Sequence, residues 1–419
     1  MISWAANPQA EILINKNRSA SNHYNYPYPR EALPTLTAAP AGYEPFYIDH
    51  YGRHGSRWAT HESSYRRPVE EMEKAERNGM LTETGEALLS QLREMRDASA
   101  GRIGELSDVG AEQHQGIARR MMQNFPEVFA GNAKVDARST IVIRCILSML
   151  NEVQELKGLN PQLQITTDAS IHDMYYMGWG YGEDTCAVPI RNRMKIISDS
   201  IKWANIDSRR FEKQLFKDEK FAKDSIPGKK LMSNVFDLAG YLQDHHEFDG
   251  KDLYYLFTDE EIFQLWRLTN IYWYLNWGPS PVNGRRLPFI ERALLNNMIE
   301  SADEAIAKNE RGASLRFGHE TCVLPLACLL ELDNVNYHTT DLADLHNHWQ
   351  NYNIFPMACN VQMVFYRPVN GAGDVLVKVL LNEHEARLPI ATTMFPYYRW
   401  SDFRKYYVEK LKTPIDWKN

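Results

Sequence analysis

Three times along this chain a short apolar stretch runs into a turn crowded with arginine or histidine, and a helix-like pattern follows. Phe46-Tyr47-Ile48 leads to Gly52-Arg53-His54-Gly55-Ser56-Arg57. Lys134-Val135-Asp136-Ala137 leads to Arg138-Ser139-Thr140, with Arg144 one turn on, and Ser314-Leu315-Arg316-Phe317 leads to Gly318-His319-Glu320-Thr321. Strand, polar turn, helix is the repeating unit of an α/β protein. In an open sheet of this kind the crevice beyond the strand carboxyl ends takes the ligand. Helix N-termini there offer free N–H groups and a positive dipole end to an anion. Four arginines and two histidines meeting in one such crevice would form an anion site, and the planar guanidinium fork suits phosphate.

Each junction alone has an ordinary structural explanation. An Arg-His pair after a strand is commonly a surface loop, Arg144 in an apolar helix an ion-pair partner, and Glu320 a residue favoured by the helix dipole. The recurrence of the pattern at three strand ends is what favours function. Between the junctions, periodicity predicts helices within 65–100 and 105–130, with Leu88, Leu89, Leu92 and Met95 as an inward stripe. A helix start is expected at Asp108, and a helix Ile141 to Leu156 capped by Ser139 or Thr140. Leu163 to Thr167 reads as a strand and Thr321 to Leu332 as a helix. NVQMVFYRP and DVLVKVLLNE, on either side of VNGAG, read as a hairpin. Residues 18–45, rich in Tyr, Pro, Asn and Ser, read as an extended arm on the surface, and about 170–310 as a helical, aromatic insertion.

Composition removes several classes. Apolar residues at 44% and charged residues at 24% of 419 exclude a disordered or collagen-like chain. Lys plus Arg is 47 against 54 Asp plus Glu, a net charge of −7, with no basic stretch suited to nucleic acid. No apolar run approaches the length of about 18 residues needed to span a bilayer. The five cysteines lack C-x-x-C spacing, so no zinc or dithiol motif is indicated, and the odd count leaves at least one thiol free. One or two disulfides stay open. The first residues, MISWAANPQAEILINKN, lack the basic and apolar regions of a signal peptide.

The motif residues also carry a resemblance. RHGSR at 53–57 resembles the active-site motif of the histidine acid phosphatases, the second branch of the histidine phosphatase superfamily. ARSTIVIRCILSM is similar to that family's second arginine segment, LRFGHETCVLPL to its later His–acid segment, and GELSDVGAEQHQGIARRM to a helix between the first two. Order and spacing agree over about residues 43–400. PYYRWSDFRKYY and FTDEEIFQLWRLTNIYWY resemble bacterial members related to multiple inositol polyphosphate phosphatases and phytases.

By position, the resemblance implies His54 as the nucleophile, Glu320 as the proton donor, and Arg53, Arg57, Arg144 and His319 as the phosphate pocket. It implies no metal and no cofactor. The chemistry agrees: neighbouring cations keep a histidine neutral and nucleophilic, arginines hold the charge of the transferring oxygens, and a carboxylic acid protonates the leaving oxygen. Two departures stand out. Many acid phosphatases carry Asp where Glu320 stands, and the inositol-phosphate branch places its Glu one residue further on. The family's Pro is Ala59 here, behind Trp58.

The expectation is therefore a three-layer α/β/α core with a central mixed sheet and an inserted helical cap. Residues 1–45 form the N-terminal extended arm, 46–169 and 311–419 the core, and 170–310 the cap. The expected activity is hydrolysis of phosphomonoesters, inositol polyphosphates such as phytate above all. It is expected at acidic pH because Glu320 must begin protonated against an ordinary value near about 4.3. The expected partner is a small-molecule substrate, with no nucleic acid and no membrane span. The family's habit implies a periplasmic or secreted location. A phosphatase of broad or sugar-phosphate specificity, and a non-catalytic phosphate-binding module, remain as alternatives. Elsewhere, His346 and His348 with Asp341 and Asp344 read as a polar loop before a metal site, and His245-His246 as a solvated loop. Tyr272, Trp273, Tyr274 and Trp277 read as cap core before a sugar platform, and Lys229-Lys230 as a surface pair.

Overall fold

The computed structural model describes residues 7–26, 35–371 and 373–418. Helix α1 (Pro8–Ile14) and a 3-10 segment (Lys16–His23) precede the long strand β1 (Tyr43–Arg53). Helices α2 (Ser63–Arg77), α3 (Glu83–Ala98) and α4 (Asp108–Asn124) lead to β2 (Lys134–Ser139), α5 (Ile143–Leu159) and β3 (Gln164–Asp168). A helical stretch follows, then β4 (Gly312–Gly318), the helix Glu320–Leu329, β5 (Asn360–Pro368) and β6 (Leu376–Leu381). Two-residue strands β7 (His384–Glu385) and β8 (Tyr398–Arg399) and the helix Trp400–Leu411 complete it.

The sheet runs β3-β2-β4-β1-β5-β6-β7, with β8 beside β6. β3, β2, β4 and β1 are parallel, and β5 and β6 form the antiparallel hairpin expected around VNGAG. Residue Ala372 of that turn lies outside the described residues. β4 inserts between β1 and β2, so their carboxyl ends align: Arg53 pairs in register with Gly318, and Ser139 with Phe317. That alignment is what gathers three distant motifs.

Side chains alternate across β1. Ile48 joins Ile117, Met121, Met149, Val153 and Phe317 under α4 and α5. Tyr47 and Tyr51 face the opposite layer, with Leu295, Met298, Cys322 and Phe403. Burying one such large apolar side chain stabilises by about 1.5–3 kcal/mol, so both faces must be covered. The three-layer core with a mixed sheet is as expected.

The helical region is divided otherwise than sequence suggested. α2 and α3, including the stripe Leu88, Leu89, Leu92 and Met95, pack with Phe211, Leu215, Leu231, Val235 and Trp266 in one cluster. The helix Arg292–Lys308, inside the range 170–310, instead covers the sheet through Leu295 and Met298. Trp273, Tyr274 and Trp277 are buried in that same sheet-covering cluster, and Tyr272 packs against it. Both facts have one cause: a helix goes to whichever apolar face it completes, and chain continuity does not decide which.

The helix start at Asp108 is as expected, and two other local signals needed correction. Ser107 caps α4, accepting from Gly110 N–H at 3.2 Å, and Asp108 is the first helical residue. α5 begins at Ile143, and neither Ser139 nor Thr140 caps it. Much of the described arm is not extended: 8–14 and 16–23 are helical, and Ser19, Ser21 and His23 are buried, whereas 24–26 and 35–42 lie outside helices and strands. Residues 1–6 and 27–34 of that expected arm lie outside the described residues. All five cysteines are unpaired. Among the described residues no helix is long and apolar enough to cross a membrane.

Candidate active site

His54 leaves the sheet where β1 ends, its N–H donating to Gly318 O at 2.9 Å and its carbonyl accepting from Ala358 N–H at 3.0 Å. Its ring Nδ1 lies 2.8 Å from its neighbour's carbonyl, Gly55 O. A carbonyl can only accept, so Nδ1 carries the proton and the lone pair is on Nε2. Glu320 Oε2 stands 4.0 Å from that nitrogen. The His319 ring meets His54 edge-on, with centroids 5.6 Å apart. Its Nε2 lies 3.4 Å from Thr140 Oγ1, and its backbone N–H donates to Tyr51 OH at 3.4 Å.

Arg53 is fully buried. Nη1 donates to Asn22 O at 2.5 Å and Phe355 O at 3.2 Å, while Nη2 stands 3.0 Å from Glu320 Oε1, off hydrogen-bond alignment. Arg57 donates through Nη1 to Trp58 O at 3.0 Å. Nε of Arg57 and Nε of Arg144, on the first turn of α5, are buried without a protein partner. Guanidinium N–H groups left in this state are poised for an anion, since a buried donor without an acceptor costs about 1–3 kcal/mol. Of the four arginines considered, Arg138 is elsewhere: it pairs with Asp136 at 2.9 Å and Asp173 at 2.8 Å.

Electrostatics act differently on His54 and Glu320. Burial, then Arg144, Arg53 and Arg57, hold His54 well below its ordinary value, so it is neutral. His319 is lowered to about 4, by burial first and then Arg144. For Glu320 burial pushes upward, but Arg53, Arg57 and His319 outweigh it and bring the carboxyl down to about 2. The expectation that Glu320 begins protonated at mildly acidic pH is thus corrected for the unliganded pocket: nearby guanidinium charge holds it ionised. His54, His319 and Glu320 place three ligating atoms within 4.8 Å of one another. The arginines around them make the same space favourable to an anion.

The loop is held by close backbone contact. A Cβ on Gly55 would meet Gly110 O at 2.3 Å, and one on Gly110 would meet Ser56 O at 2.2 Å. Gly55 N–H donates to Ser148 Oγ at 3.1 Å and Ser56 N–H to Gln113 Oε1 at 2.9 Å. Where the family carries proline, Ala59 N–H donates to Tyr65 OH at 3.1 Å, and Trp58 N–H donates to Glu105 O at 3.0 Å. The first of these two hydrogen bonds is one that proline could not make.

Several neighbours carry no local sequence signal. Asn22 Nδ2 donates to Glu320 Oε1 at 3.2 Å, and Ser56 Oγ donates to Asn25 Oδ1 at 2.7 Å. His23 Nδ1 lies 3.3 Å from Asp244 Oδ2. His245, expected in a solvated loop, is buried with its ring 3.9 Å from that of Trp58. His346 packs on Phe263, whereas His348 pairs with Asp344 at 2.9 Å, so the pair does not converge. Lys229, exposed as expected, donates to Trp203 O at 2.6 Å.

No family model and no curated protein matches the sequence. Solved structures match in fold. Multiple inositol polyphosphate phosphatase of Bifidobacterium longum, in complex with inositol hexasulfate, is 18% identical with a TM-score of 0.76, over 94% of this chain and 98% of that one. The phytase from D. castellii is 16% identical with a TM-score of 0.67, over 94% and 85%. Hafnia alvei phytase in complex with tartrate is 14% identical with a TM-score of 0.53, over 90% and 100%. At these identities the likeness is one of fold.

Proposed function

We propose that this chain is a histidine acid phosphatase hydrolysing phosphomonoesters, with inositol polyphosphates as its substrates, through a phosphohistidine on His54. The observation that carries the reading is the tautomer: Nδ1–H is held by Gly55 O at 2.8 Å, which leaves the Nε2 lone pair 4.0 Å from a carboxylate oxygen of Glu320. In the first step Nε2 attacks phosphorus, the ester P–O bond breaks, and Glu320 gives its proton to the leaving oxygen. In the second, water attacks the phosphohistidine, Glu320 takes the water's proton, and inorganic phosphate leaves with Nε2 restored. Arg53, Arg57, Arg144 and His319 hold the equatorial oxygens in both steps. The cationic field does the electrostatic work that a metal does elsewhere.

Two observations support a polyphosphorylated substrate. The fold is shared with structures described as phytases and an inositol polyphosphate phosphatase. Beyond the pocket, Arg191 lies 3.5 Å from the Trp277 ring centroid and 4.5 Å from that of Trp179, and its charge acts on Tyr272 along with that of Glu320, while Lys195 is paired with Asp199. The family resemblance further favours a periplasmic or secreted protein.

The deciding experiment is phosphate release from inositol hexakisphosphate at about pH 5, wild type beside His54→Ala. Release by wild type and loss of turnover with retained phosphate binding in the variant is expected. An active variant would falsify the nucleophile assignment. The ionised state of Glu320 is the one observation favouring a non-catalytic phosphate-binding site, and ³²P trapped on His54 would exclude it.

A further inference from the structure

The two oxygens of Glu320 are not equivalent. Oε1 accepts from Asn22 Nδ2 at 3.2 Å and stands 3.0 Å from Arg53 Nη2, whereas Oε2 is the oxygen 4.0 Å from His54 Nε2. Asn22 also takes Arg53 Nη1 on its own carbonyl at 2.5 Å, so one residue touches both sides of the Arg53–Glu320 pair. Its placement is enforced. The preceding Ser21 has φ 62° and ψ −116°, a conformation unfavourable for a residue with a Cβ that persists only where the surroundings impose it. Asn351 Nδ2 donates to Ser21 Oγ at 2.5 Å and Met357 N–H to Tyr24 O at 2.8 Å. On the other side Gln243 Oε1 accepts from Asn25 N–H at 3.1 Å. The segment is clamped between the sheet domain and the helical layer, with Asn22 at the carboxylate.

We infer that Asn22 is a positioning residue for Glu320: its amide occupies Oε1, so the proton is carried and exchanged on Oε2, the oxygen facing His54 and the leaving group. A protonated Oε1 would turn its own hydrogen toward the Asn22 N–H and the Arg53 guanidinium, which the geometry disfavours. This rests on the phosphatase reading above. The charged and titratable groups facing Glu320 are Arg53, Arg57 and His54 from the first motif, His319 beside it and Arg144 from α5. Tyr272 and the buried thiols of Cys145 and Cys359 complete that set, and Asn22 is the neutral donor among them.

The test is the pH profile of kcat on an alkyl phosphate, whose poor leaving group needs the acid. Asn22→Ala removes a donor that favours the carboxylate, so the alkaline limb should move up by about one pH unit. Asn22→Asp keeps the shape and sets a like charge against Glu320, so the limb should move further in the same direction. On p-nitrophenyl phosphate, which leaves unaided, the alkaline limb should not move in either variant, because the acid is not needed there. Asn22 is half-buried, so both changes are accommodated, and a thermal melt checks this. Rates lowered evenly at all pH values with the limb unmoved, in Asn22→Asp above all, would overturn the assignment and leave a structural role. His54→Ala is run alongside. If it retains activity the phosphohistidine reading fails; if it is inert while the limb stays put, only the role of Asn22 does.

Discussion

Burial and guanidinium charge act together on His54 and against each other on Glu320. Both favour neutral imidazole, the form that the proposed nucleophilic role requires, at any pH above its lowered value. For the carboxyl, burial favours the acid and the arginines favour the anion, and the arginines prevail at about 2. Under the proposed mechanism a bound phosphoryl dianion would supply the opposing charge, and substrate binding would form the acid. Inositol hexasulfate, whose sulfate esters do not titrate near neutrality, isolates the effect. Its binding between about pH 4 and 6 should take up a proton, on the order of one per site, read as a buffer-dependent heat. No uptake would move the acid role away from Glu320. Glu320→Gln should slow alkyl phosphates roughly 10²-fold or more and p-nitrophenyl phosphate far less. Equal losses would count against it.

At the level of elements, the loop that carries Arg53 to Arg57 is cast against α4 and α5. Gly55 and Gly110 meet backbone to backbone, and Ser148 accepts the Gly55 N–H. One helical turn deeper, His114 Nδ1 and Glu152 Oε2 join α4 to α5 at 2.9 Å, both side chains fully buried. Gly110→Ala must push Ser56 aside, because its Cβ would meet backbone atoms that cannot swing away. A displacement of about 1 Å at the reacting centre costs on the order of 10²-fold in rate, and kcat should fall by about that much while the protein remains folded. Glu152→Ala leaves His114 Nδ1 buried without its acceptor. Its expected cost is about 1–3 kcal/mol in urea unfolding, with a much smaller effect on the reaction.

At the level of the whole molecule, burial has shifted groups of both kinds, and the signs define a window. His50 and His245 are lowered to about 3 and His319 to about 4, burial being the first cause in each. Their stability is present above the unfolded value near about 6.5 and lost as pH falls through the folded one. Asp49 is raised to about 7, and Asp244 and Glu291 to about 8, again by burial first. Their contribution is present below the unfolded carboxyl value near about 4 and lost as pH rises through the folded one. Above about 6.5 only the acids act, and below about 4 only the histidines. Tm should therefore peak between these limits and decline on both sides. A maximum above pH 7 would contradict the signs.

What was legible in the sequence was local. The strand-turn-helix alternation, the stripe at Leu88, Leu89, Leu92 and Met95, and the motifs at 53–57 and 318–321 each depend on residues within a few positions of one another, and periodicity and turn chemistry report such neighbours directly. Arg53, His54, Arg57, Arg144, His319 and Glu320 do gather at the ends of β1, β2 and β4, because sheet register sets Arg53 beside Gly318 and Ser139 beside Phe317. Which arginine stays out was decided only in three dimensions, where Asp136 and Asp173 hold Arg138. Tertiary structure alone also set Asn22 against Glu320 across 298 positions, buried His245 under Trp58, and ionised the carboxylate. Packing and Coulomb forces act through space, and the sequence order of residues far apart along the chain carries no record of that distance.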